Sequence, residues 1–191
     1  AADIKLERVE MPNAQETLWN CNDITLKQVN AVGDYFAMNS ENIRIEHFTL
    51  SGNYAFDGAK NIEISHAKLL SKDAFWNCEN VVVRDSTIIG EYLGWNSKNI
   101  TFIDCIIESN QGMCYMENVK MENCLLINTD LAFEYSTVDV QANSHIDSVK
   151  NPISGTITAS GIGELILDDP EIAAENTKYQ LAEDREYAIR L

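Results

Sequence analysis

Four residues with metal-binding side chains recur at one spacing along the chain. Each stands nineteen residues after the last, in the order His47, His66, Asp85 and Asp104. If nineteen residues make one turn of a repeating fold, the four side chains lie along a single edge, where nitrogen and oxygen atoms could bind a divalent metal. Asn, Asp and His also tolerate the positive φ of a chain corner, and that structural role is the stronger interpretation. We therefore expect no bound metal and no other cofactor.

The two aspartates of this set are also candidates for catalysis. Stacked one turn apart, Asp85 and Asp104 would have carboxyl groups about 5 Å apart, the separation found in retaining glycosidases. Arg84 could stabilise negative charge in the transition state. However, any two aspartates stacked in adjacent turns have this separation, so the spacing carries little information about catalysis. We treat these three residues as weak catalytic candidates and favour a noncatalytic protein.

Aromatic side chains form a second set that could bind a ligand. The residues that the spacing places on one outward side, together with an aspartate, are Trp19, Tyr35, Tyr54, Asp57, Trp76, Tyr92 and Trp95. The same spacing extends this side to Met38 and Phe133. Exposed Trp and Tyr anchor protein interfaces, and beside carboxylates they also suit the apolar faces and hydroxyl groups of sugars. The alternative is that these rings turn inward at a corner and belong to the core.

A repeat of nineteen residues must position both sets. Units of this length follow one another from Glu16 for seven turns without a gap, and an eighth unit keeps part of the pattern. Aliphatic residues such as Ile43 and Ile45 stand at the ninth and eleventh positions, with a mostly polar residue between them. A second inward pair, such as Phe48 and Leu50, follows at positions fourteen and sixteen, after a gap that indicates a corner. Position three is nonpolar in all seven units and supplies a third wall.

Three short strands per unit predict an all-β fold, a single-stranded, right-handed parallel β-helix of about eight nineteen-residue coils. Residues 3–11 match the second half of an earlier coil. Its inward residues would be Ile4, Leu6, Val9 and Met11. We predict that residues 1–167 form the β-helix and that the charged segment 168–191 forms a C-terminal cap. Stacked amides at the eighth position predict an asparagine ladder through Asp23, Asn42, Asn61, Asn80, Asn99 and Asn118.

The chain is strongly acidic. Its 191 residues carry 14 lysines and arginines against 30 aspartates and glutamates, a formal net charge of −16. Such a surface repels phosphate backbones and anionic lipids, so we expect neither nucleic acid nor membrane as a partner. The length suggests one domain, and 45% apolar residues allow a sizeable core. Five cysteines, an odd number, favour reduced thiols in the cytoplasm; the alternative is secretion, if Ala1 is the N-terminus left by signal-peptide cleavage.

Three blocks of the sequence resemble a known family: GEYLGWNSKN (90–99), DLAFEYSTVDV (130–140) and SVKNP (148–152). They are similar to the bacterial domain-of-unknown-function 3737 family, and the likeness covers residues 16–172. The resemblance implies a right-handed parallel β-helix in a bacterial protein. It implies no established activity, cofactor or catalytic residue. The chain differs from the family by beginning in mid-coil, whereas family members resemble longer helices with further N-terminal coils.

These features favour a noncatalytic scaffold that docks a protein partner or associates with itself, through the aromatic side or an uncovered end of the stack. The alternative is a carbohydrate-binding or carbohydrate-active β-helix, similar to polysaccharide lyases and hydrolases, with a glycan as its partner. One observable feature separates the two. An enzyme of this kind should have an open groove in which carboxylates converge above aromatic rings, whereas a scaffold should present a flat wall.

Overall fold

A computed structural model describes residues 1–182 and 188–191 of the chain. These residues contain fifteen strands and one short 3-10 helix at Ala174–Asn176. The strands are β1 (Ala2–Met11), β2 (Asn22–Val32), β3 (Glu41–Ser51), β4 (Lys60–Leu70), β5 (Glu79–Arg84), β6 (Thr87–Ile89), β7 (Lys98–Ile103), β8 (Ile106–Glu108), β9 (Glu117–Ile127), β10 (Thr137–Ala142), β11 (His145–Lys150), β12 (Ser154–Ala159), β13 (Gly161–Ile166), β14 (Thr177–Leu181) and β15 (Ala188–Arg190). Among the residues described, no helix is long and apolar enough to cross a membrane.

The strands stack as successive turns of a parallel β-helix. One sheet of twelve strands has the order β1-β2-β3-β4-β5-β7-β9-β10-β12-β14, with β6 and β8 alongside. Its register advances by nineteen residues in the central turns, where Ile43 pairs with Ile62 and Ile62 with Val81. A second sheet joins β11, β13 and β15. The predicted all-β parallel β-helix is confirmed, with about nine turns because strands at both ends add to the stack.

The inward columns of the repeat form a continuous core. In the first six units, the residues predicted to face inward at positions nine, eleven, fourteen and sixteen are all buried, as Ile45 and Phe48 are. The third wall packs against them from the opposite side, where the Phe56 and Phe75 rings stack with centroids 5.4 Å apart. Strand alternation brings the inward side chains to one face, and each coil buries its apolar surface against its neighbours.

Two corners of each coil are made by residues with positive φ. At position thirteen φ lies between 48° and 55° at Gln28, His47, His66, Asp85, Asp104 and Asn123. This extra residue separates the two inward pairs and accounts for the gap of three between them. At position eight, φ is positive from Asp23 to Asn118, and the amides are joined from coil to coil. Asn80 Nδ2 donates to Asn61 Oδ1 at 3.0 Å, and Asn99 Nδ2 donates to Asn80 Oδ1 at 3.1 Å.

The third wall is not a strand, so the prediction of three strands per coil is wrong. Positive φ recurs at every second residue along it, as at Tyr54 (58°) and Phe56 (64°). Its backbone still bonds from coil to coil, since Tyr54 N donates to Lys72 O at 2.8 Å. The consecutive residues Ala55 and Phe56 are both buried, which the alternation of a regular strand does not allow. As a result, positions one and four, three residues apart, lie together on the outer side.

A one-residue shift in the seventh unit places Phe133 in the core. Positive φ falls one residue later in this unit than in the earlier ones, and Phe133 N donates to Gly112 O at 3.2 Å. Phe133 is fully buried, so its predicted outward position is wrong. The shift is cancelled at Thr137, which lacks the positive φ of position eight. Val138 then pairs with Val119 at the usual spacing of nineteen residues. An insertion and a deletion therefore leave the period of the sequence unchanged.

Strands at both ends of the chain continue the stack. β1 pairs with β2 through the inward column, which confirms the half coil predicted at residues 3–11. The partly buried side chains of this half coil are Ile4, Leu6, Val9 and Met11. At the other end, β14 pairs in parallel with β12, and β15 with β13. Both strands lie in the segment 168–191, of which residues 183–187 lie outside the described residues.

Candidate docking surface

The outward aromatic residues form one continuous line of ring contacts. We call this set the aromatic stripe, and its members are Trp19, Tyr35, Tyr54, Trp76, Tyr92, Trp95, Tyr115 and Tyr135. Ring contacts run unbroken from Trp19 to Tyr135, with centroids 4.8 to 6.2 Å apart. Two pairs are nearly parallel, since Tyr35 and Tyr54 differ by 8° and Trp76 and Trp95 by 16°. The stripe is therefore an ordered ridge in which the rings restrain one another.

The third wall positions this ridge. Tyrosines at position one and tryptophans at position four share a side because the alternating φ turns positions two and three inward. Two of the three indoles are anchored by the backbone of the next coil. Trp19 Nε1 donates to Tyr35 O at 2.6 Å, and Trp95 Nε1 donates to Gln111 O at 3.2 Å. The equivalent atom of Trp76 is buried and has no hydrogen-bond acceptor among the described residues.

All seven residues proposed from the sequence as a binding surface lie on this side of the protein. Most of them are half-buried, and Trp19 is 37% exposed. Asp57 lies between the tryptophan rungs at position four, where its Oδ1 accepts a hydrogen bond from Asn77 Nδ2 at 2.9 Å. The rings thus pack their inner edges against the wall and leave their outer edges accessible.

Tyr115 and Tyr135 extend the stripe beyond the residues chosen from the sequence. Tyr115 is 46% exposed and stands at position five, where four earlier units have asparagine. Tyr135 stands at position six by count and becomes equivalent to Tyr115 only through the shift in the seventh unit. Their ring centroids lie 5.3 Å apart. The recurrence of tyrosine after twenty residues was the available signal for this pair.

Charged groups border the stripe, and both of its cations are paired. Lys72 Nζ lies 3.9 Å from Glu91 Oε2 and 5.2 Å from the centroid of the Tyr92 ring. Lys150 Nζ lies 3.0 Å from Glu134 Oε1, and this contact raises the pKa of the Lys150 ammonium. The ion pairs leave the remaining carboxylates of this side as its uncompensated charge.

Asp73 is the buried carboxylate of the stripe. It takes position one in its coil, between the rungs of Tyr54 and Tyr92, and is almost inaccessible to solvent. Burial is the main cause of the raised pKa of its carboxyl group. The neighbouring ammonium of Lys72 lowers this pKa, whereas Glu91 and Asp57 raise it further. The stripe therefore contains a carboxylate that a nearby positive charge would stabilise.

A hydrogen bond ties the end of the stripe to the loop after β13. The Tyr135 hydroxyl donates to Asp169 Oδ2 at 2.7 Å, and this bond raises the pKa of Tyr135 to about 12. The pKa of the Asp169 carboxyl is lowered, first by the backbone N–H of Glu171 and then by the Tyr135 hydroxyl. The last ring of the stripe is thus held in one orientation.

The histidines and aspartates of position thirteen lie at the corner between the two strand walls, away from the stripe. The rings of His47 and His66 stack with centroids 4.9 Å apart. Asp104 Oδ1 accepts a hydrogen bond from Asn123 Nδ2 at 2.6 Å. Within residues 1–182 and 188–191, no group of three or more His, Cys, Asp or Glu side chains is placed to hold a metal ion.

The weak catalytic candidates do not meet the aromatic rings. Arg84, Asp85 and Asp104 are exposed, and Arg84 borders a shallow depression in which Arg44 Nε pairs with Glu63 Oε2 at 3.4 Å. The stripe lies on the third wall, whereas these residues lie at the corner between the other two. Carboxylates of position thirteen therefore do not converge above the rings.

The cysteines do not add a reactive group. All five are free and buried. Burial raises the pKa of the Cys78 thiol and raises that of Cys114 to about 11. Cys105 shares a hydrogen bond with Cys124 in the same inward column, which together with burial raises the pKa of Cys105. Thiols that stay protonated are poor nucleophiles, which applies to Cys78, Cys105 and Cys114. The shared hydrogen bond instead lowers the pKa of Cys124, but this side chain is fully buried in the core.

Comparison with known proteins adds the family and nothing more specific. Neither the curated proteins nor the solved structures contain a match to this chain. One family, described as a protein of unknown function (DUF3737), matches residues 1–180. This match agrees with the resemblance carried by the blocks at 90–99, 130–140 and 148–152. The chain therefore belongs to the DUF3737 family of proteins of unknown function.

Proposed function

We propose that this protein is a noncatalytic scaffold and that its aromatic stripe docks a basic segment of a partner protein. The observation that carries the proposal is the unbroken line of rings from Trp19 to Tyr135, held by one another and by backbone carbonyls. Exposed Trp and Tyr that are already ordered lose little conformational entropy when a partner binds. A preordered ridge is therefore favoured as a binding surface over the same residues on a mobile loop.

Charge selects the kind of partner. The two cations beside the stripe are already paired with Glu91 and Glu134. Among the described residues this leaves the half-buried Asp57 as a carboxylate of the stripe without an ion pair, on a chain of net charge −16. The contact of Lys72 with the Tyr92 ring demonstrates that an ammonium group fits over a ring here, a contact that is attractive for Lys and Arg. A second copy of this acidic chain would be repelled from this side, so a partner rich in Lys or Arg is the better match.

Ring orientation argues against a sugar at the parallel pairs. Sugars stack on the open face of an aromatic ring. Tyr35 covers one face of Tyr54, and Trp76 covers one face of Trp95, so each pair has fewer open ring faces on which a sugar could stack. The weak catalytic candidates Asp85 and Asp104 lie at another corner of the coil, which further disfavours a carbohydrate-active enzyme.

We place the protein in the cytoplasm as part of the same proposal. Five unpaired, buried thiols are typical of proteins kept in a reducing compartment. The thiols themselves have no part in docking.

Binding of a short fluorescein-labelled peptide rich in Arg and Lys, measured by anisotropy, tests the proposal. The paired variant Tyr54→Gln with Tyr115→Asn should weaken binding at least about tenfold, because it removes two rings without changing charge. Gln and Asn already stand at positions one and five of other units, so the backbone tolerates both. Val32→Ser, which removes an exposed side chain on another wall, is the control and should bind as the natural protein does.

Two results would reject the proposal. One is equal binding by the natural protein and the Tyr54→Gln, Tyr115→Asn variant, which would mean that the peptide is held by net charge alone. The other is binding of neutral oligosaccharides that is lost in the same variant, which would favour the carbohydrate alternative.

A further inference from the structure

Five aliphatic side chains point outward on a different wall of the β-helix. We call this set the aliphatic face, and its members are Leu70, Ile89, Ile106, Leu125 and Ile127. Each is between 36% and 43% exposed. Together they leave roughly 350 Å² of apolar side chain in water, a size at which surface patches are often functional.

Strand register makes the aliphatic face continuous. Leu70 of β4 pairs with Ile89 of β6, and Ile106 of β8 pairs with Leu125 of β9. Ile89 and Ile106 belong to neighbouring rungs, because β6 pairs directly with β8. Rungs lie about 4.8 Å apart, so the five side chains form one block across four rungs.

The same strands are also apolar on their inner side. Leu69, Ile88, Ile107 and Leu126 alternate with the exposed residues and are buried in the core. Strands that are apolar on both faces are typical of sheets covered on both faces. In the two preceding coils the same outward columns carry Asn30 and the exposed Val32 of β2, and then Thr49 and Ser51 of β3, which interrupt the aliphatic side chains. The pattern of a covered wall therefore begins at β4.

Charge on the aliphatic face is low and balanced. Its only charged neighbours in these two columns of β4, β6, β8 and β9 are Lys68 and Glu108. They have opposite signs and lie two rungs apart, on either side of the rung that carries Ile89. On a chain of net charge −16, this is a locally neutral surface, at which two copies can meet without like charges facing each other inside the contact.

We propose that the aliphatic face is a self-association surface and that two copies pack it against each other about a two-fold axis. In such an interface a residue i that contacts j of the other copy is matched by j contacting i. An axis between the Lys68 and Glu108 positions places each lysine opposite the glutamate of the other copy. The two sheets then lie about 10 Å apart with their aliphatic side chains interleaved. This surface is separate from the aromatic stripe and does not depend on its proposed role.

Sedimentation velocity of the natural protein across the micromolar range tests this proposal. We expect a monomer–dimer equilibrium. The triple variant Ile89→Ser, Ile106→Thr, Leu125→Thr should raise the dissociation constant roughly 100-fold or more. Ser and Thr occupy the same outward columns in neighbouring rungs, so the fold should be retained; circular dichroism checks this.

A charge-exchange series tests the two-fold arrangement. Lys68→Glu alone should weaken the dimer, and adding Glu108→Lys should restore it, because the exchanged pair again has opposite signs. Val32→Ser serves as a control outside the four rungs and should leave the dimer unchanged. A natural protein that stays monomeric throughout the micromolar range would overturn the proposal. So would a dimer that the folded triple variant retains, or a charge exchange that fails to restore association.

Discussion

The aromatic stripe and the aliphatic face are outward surfaces of the same nineteen-residue repeat, yet they differ in backbone, charge and chemistry. On the strand walls, alternation puts outward columns two residues apart, as for Leu70 and Lys68. On the third wall, alternating positive φ turns two consecutive residues inward and leaves outward columns three apart. The first geometry gives a flat sheet of aliphatic side chains. The second gives a ridge of aromatic rings with carboxylates between them.

The difference in backbone geometry between the two walls explains how one solenoid can carry two independent surfaces. Each column repeats once per coil, so a surface grows by repeating one residue type along a column. Rings accumulate where the backbone gives room for indoles anchored to the next coil, as at Trp95. Aliphatic side chains accumulate where a flat sheet can pack against another sheet.

The largest expected effect is the loss of stability when a core side chain beneath the aromatic stripe is shortened. Phe75→Ala should destabilise the protein by about 3–5 kcal/mol, because Phe75 is fully buried and stacked on Phe56. Ala37 occupies the same column, so the backbone accepts the change. Chemical unfolding gives the magnitude, and tryptophan emission should shift because Trp76 is the next residue.

Ile88→Ala is the matched variant beneath the aliphatic face. It should cost a comparable 2–5 kcal/mol while leaving the native tryptophan emission unchanged. If Ile88→Ala alters that emission as much as Phe75→Ala does, the two surfaces are not structurally independent.

A smaller loss is expected at the position-eight corner column, which borders the wall of the aromatic stripe but not that of the aliphatic face. Asn80→Ala removes the amide that bonds to Asn61 and Asn99 and places a Cβ at a φ of 60°. We expect a loss of about 1–3 kcal/mol in the free energy of unfolding. Asn80→Gly keeps the backbone conformation and removes only the amide. Equal stability of the Ala and Gly variants would mean that the hydrogen bonds, not the positive φ, account for the loss.

Salt should affect the two surfaces in opposite directions. Raising salt from about 50 mM to about 0.5 M screens the repulsion between two chains of charge −16, so the dimer should tighten several-fold. The same change should weaken binding of the Arg- and Lys-rich peptide by roughly tenfold. Sedimentation and anisotropy measure these changes. If salt shifted the dissociation constants of the dimer and of the peptide complex in the same direction, the distinction between a neutral aliphatic face and an acidic stripe would be wrong.

The smallest effect concerns Asp73 and is specific to the stripe. Its raised pKa means that the folded state resists ionisation, so stability is lost as pH rises above the ordinary value of 3.8. Asp73→Asn removes this loss and tolerates the φ of 55°. We expect a slightly higher melting temperature than that of the natural protein at pH 7. The difference in melting temperature between Asp73→Asn and the natural protein should vanish near pH 3. If it persisted there, the ionisation of Asp73 would not be its cause.

Inward columns could be predicted because their period is exact and their residues apolar, as at Ile43, Ile62 and Val81. The conformation of the third wall could not, because hydrophobic spacing does not report φ. Adjacent apolar residues such as Phe36 and Ala37 were the available sign that two neighbours turn inward. Phe133 was misplaced because an insertion and a deletion within one unit cancel in the count.

The candidate surfaces were predictable to different degrees. Rings at positions one and four could be found because Trp and Tyr are rare and recur in register. The aliphatic face was missed because Leu70 and Ile89 directly follow the inward Leu69 and Ile88. In the sequence, each pair of apolar neighbours looks like part of the core. The exposed residue of each pair becomes evident only when the burial of both is known.

Sedimentation of the natural protein with the labelled basic peptide tests the central claim, that the two surfaces act independently. Detection at the fluorescein wavelength follows the peptide, and detection at 280 nm follows the protein. We expect the peptide to sediment with the dimer. In the variant Tyr54→Gln with Tyr115→Asn, the dimer should persist without bound peptide. Peptide that sediments only with monomer, or equally with the tyrosine variant, would contradict this claim.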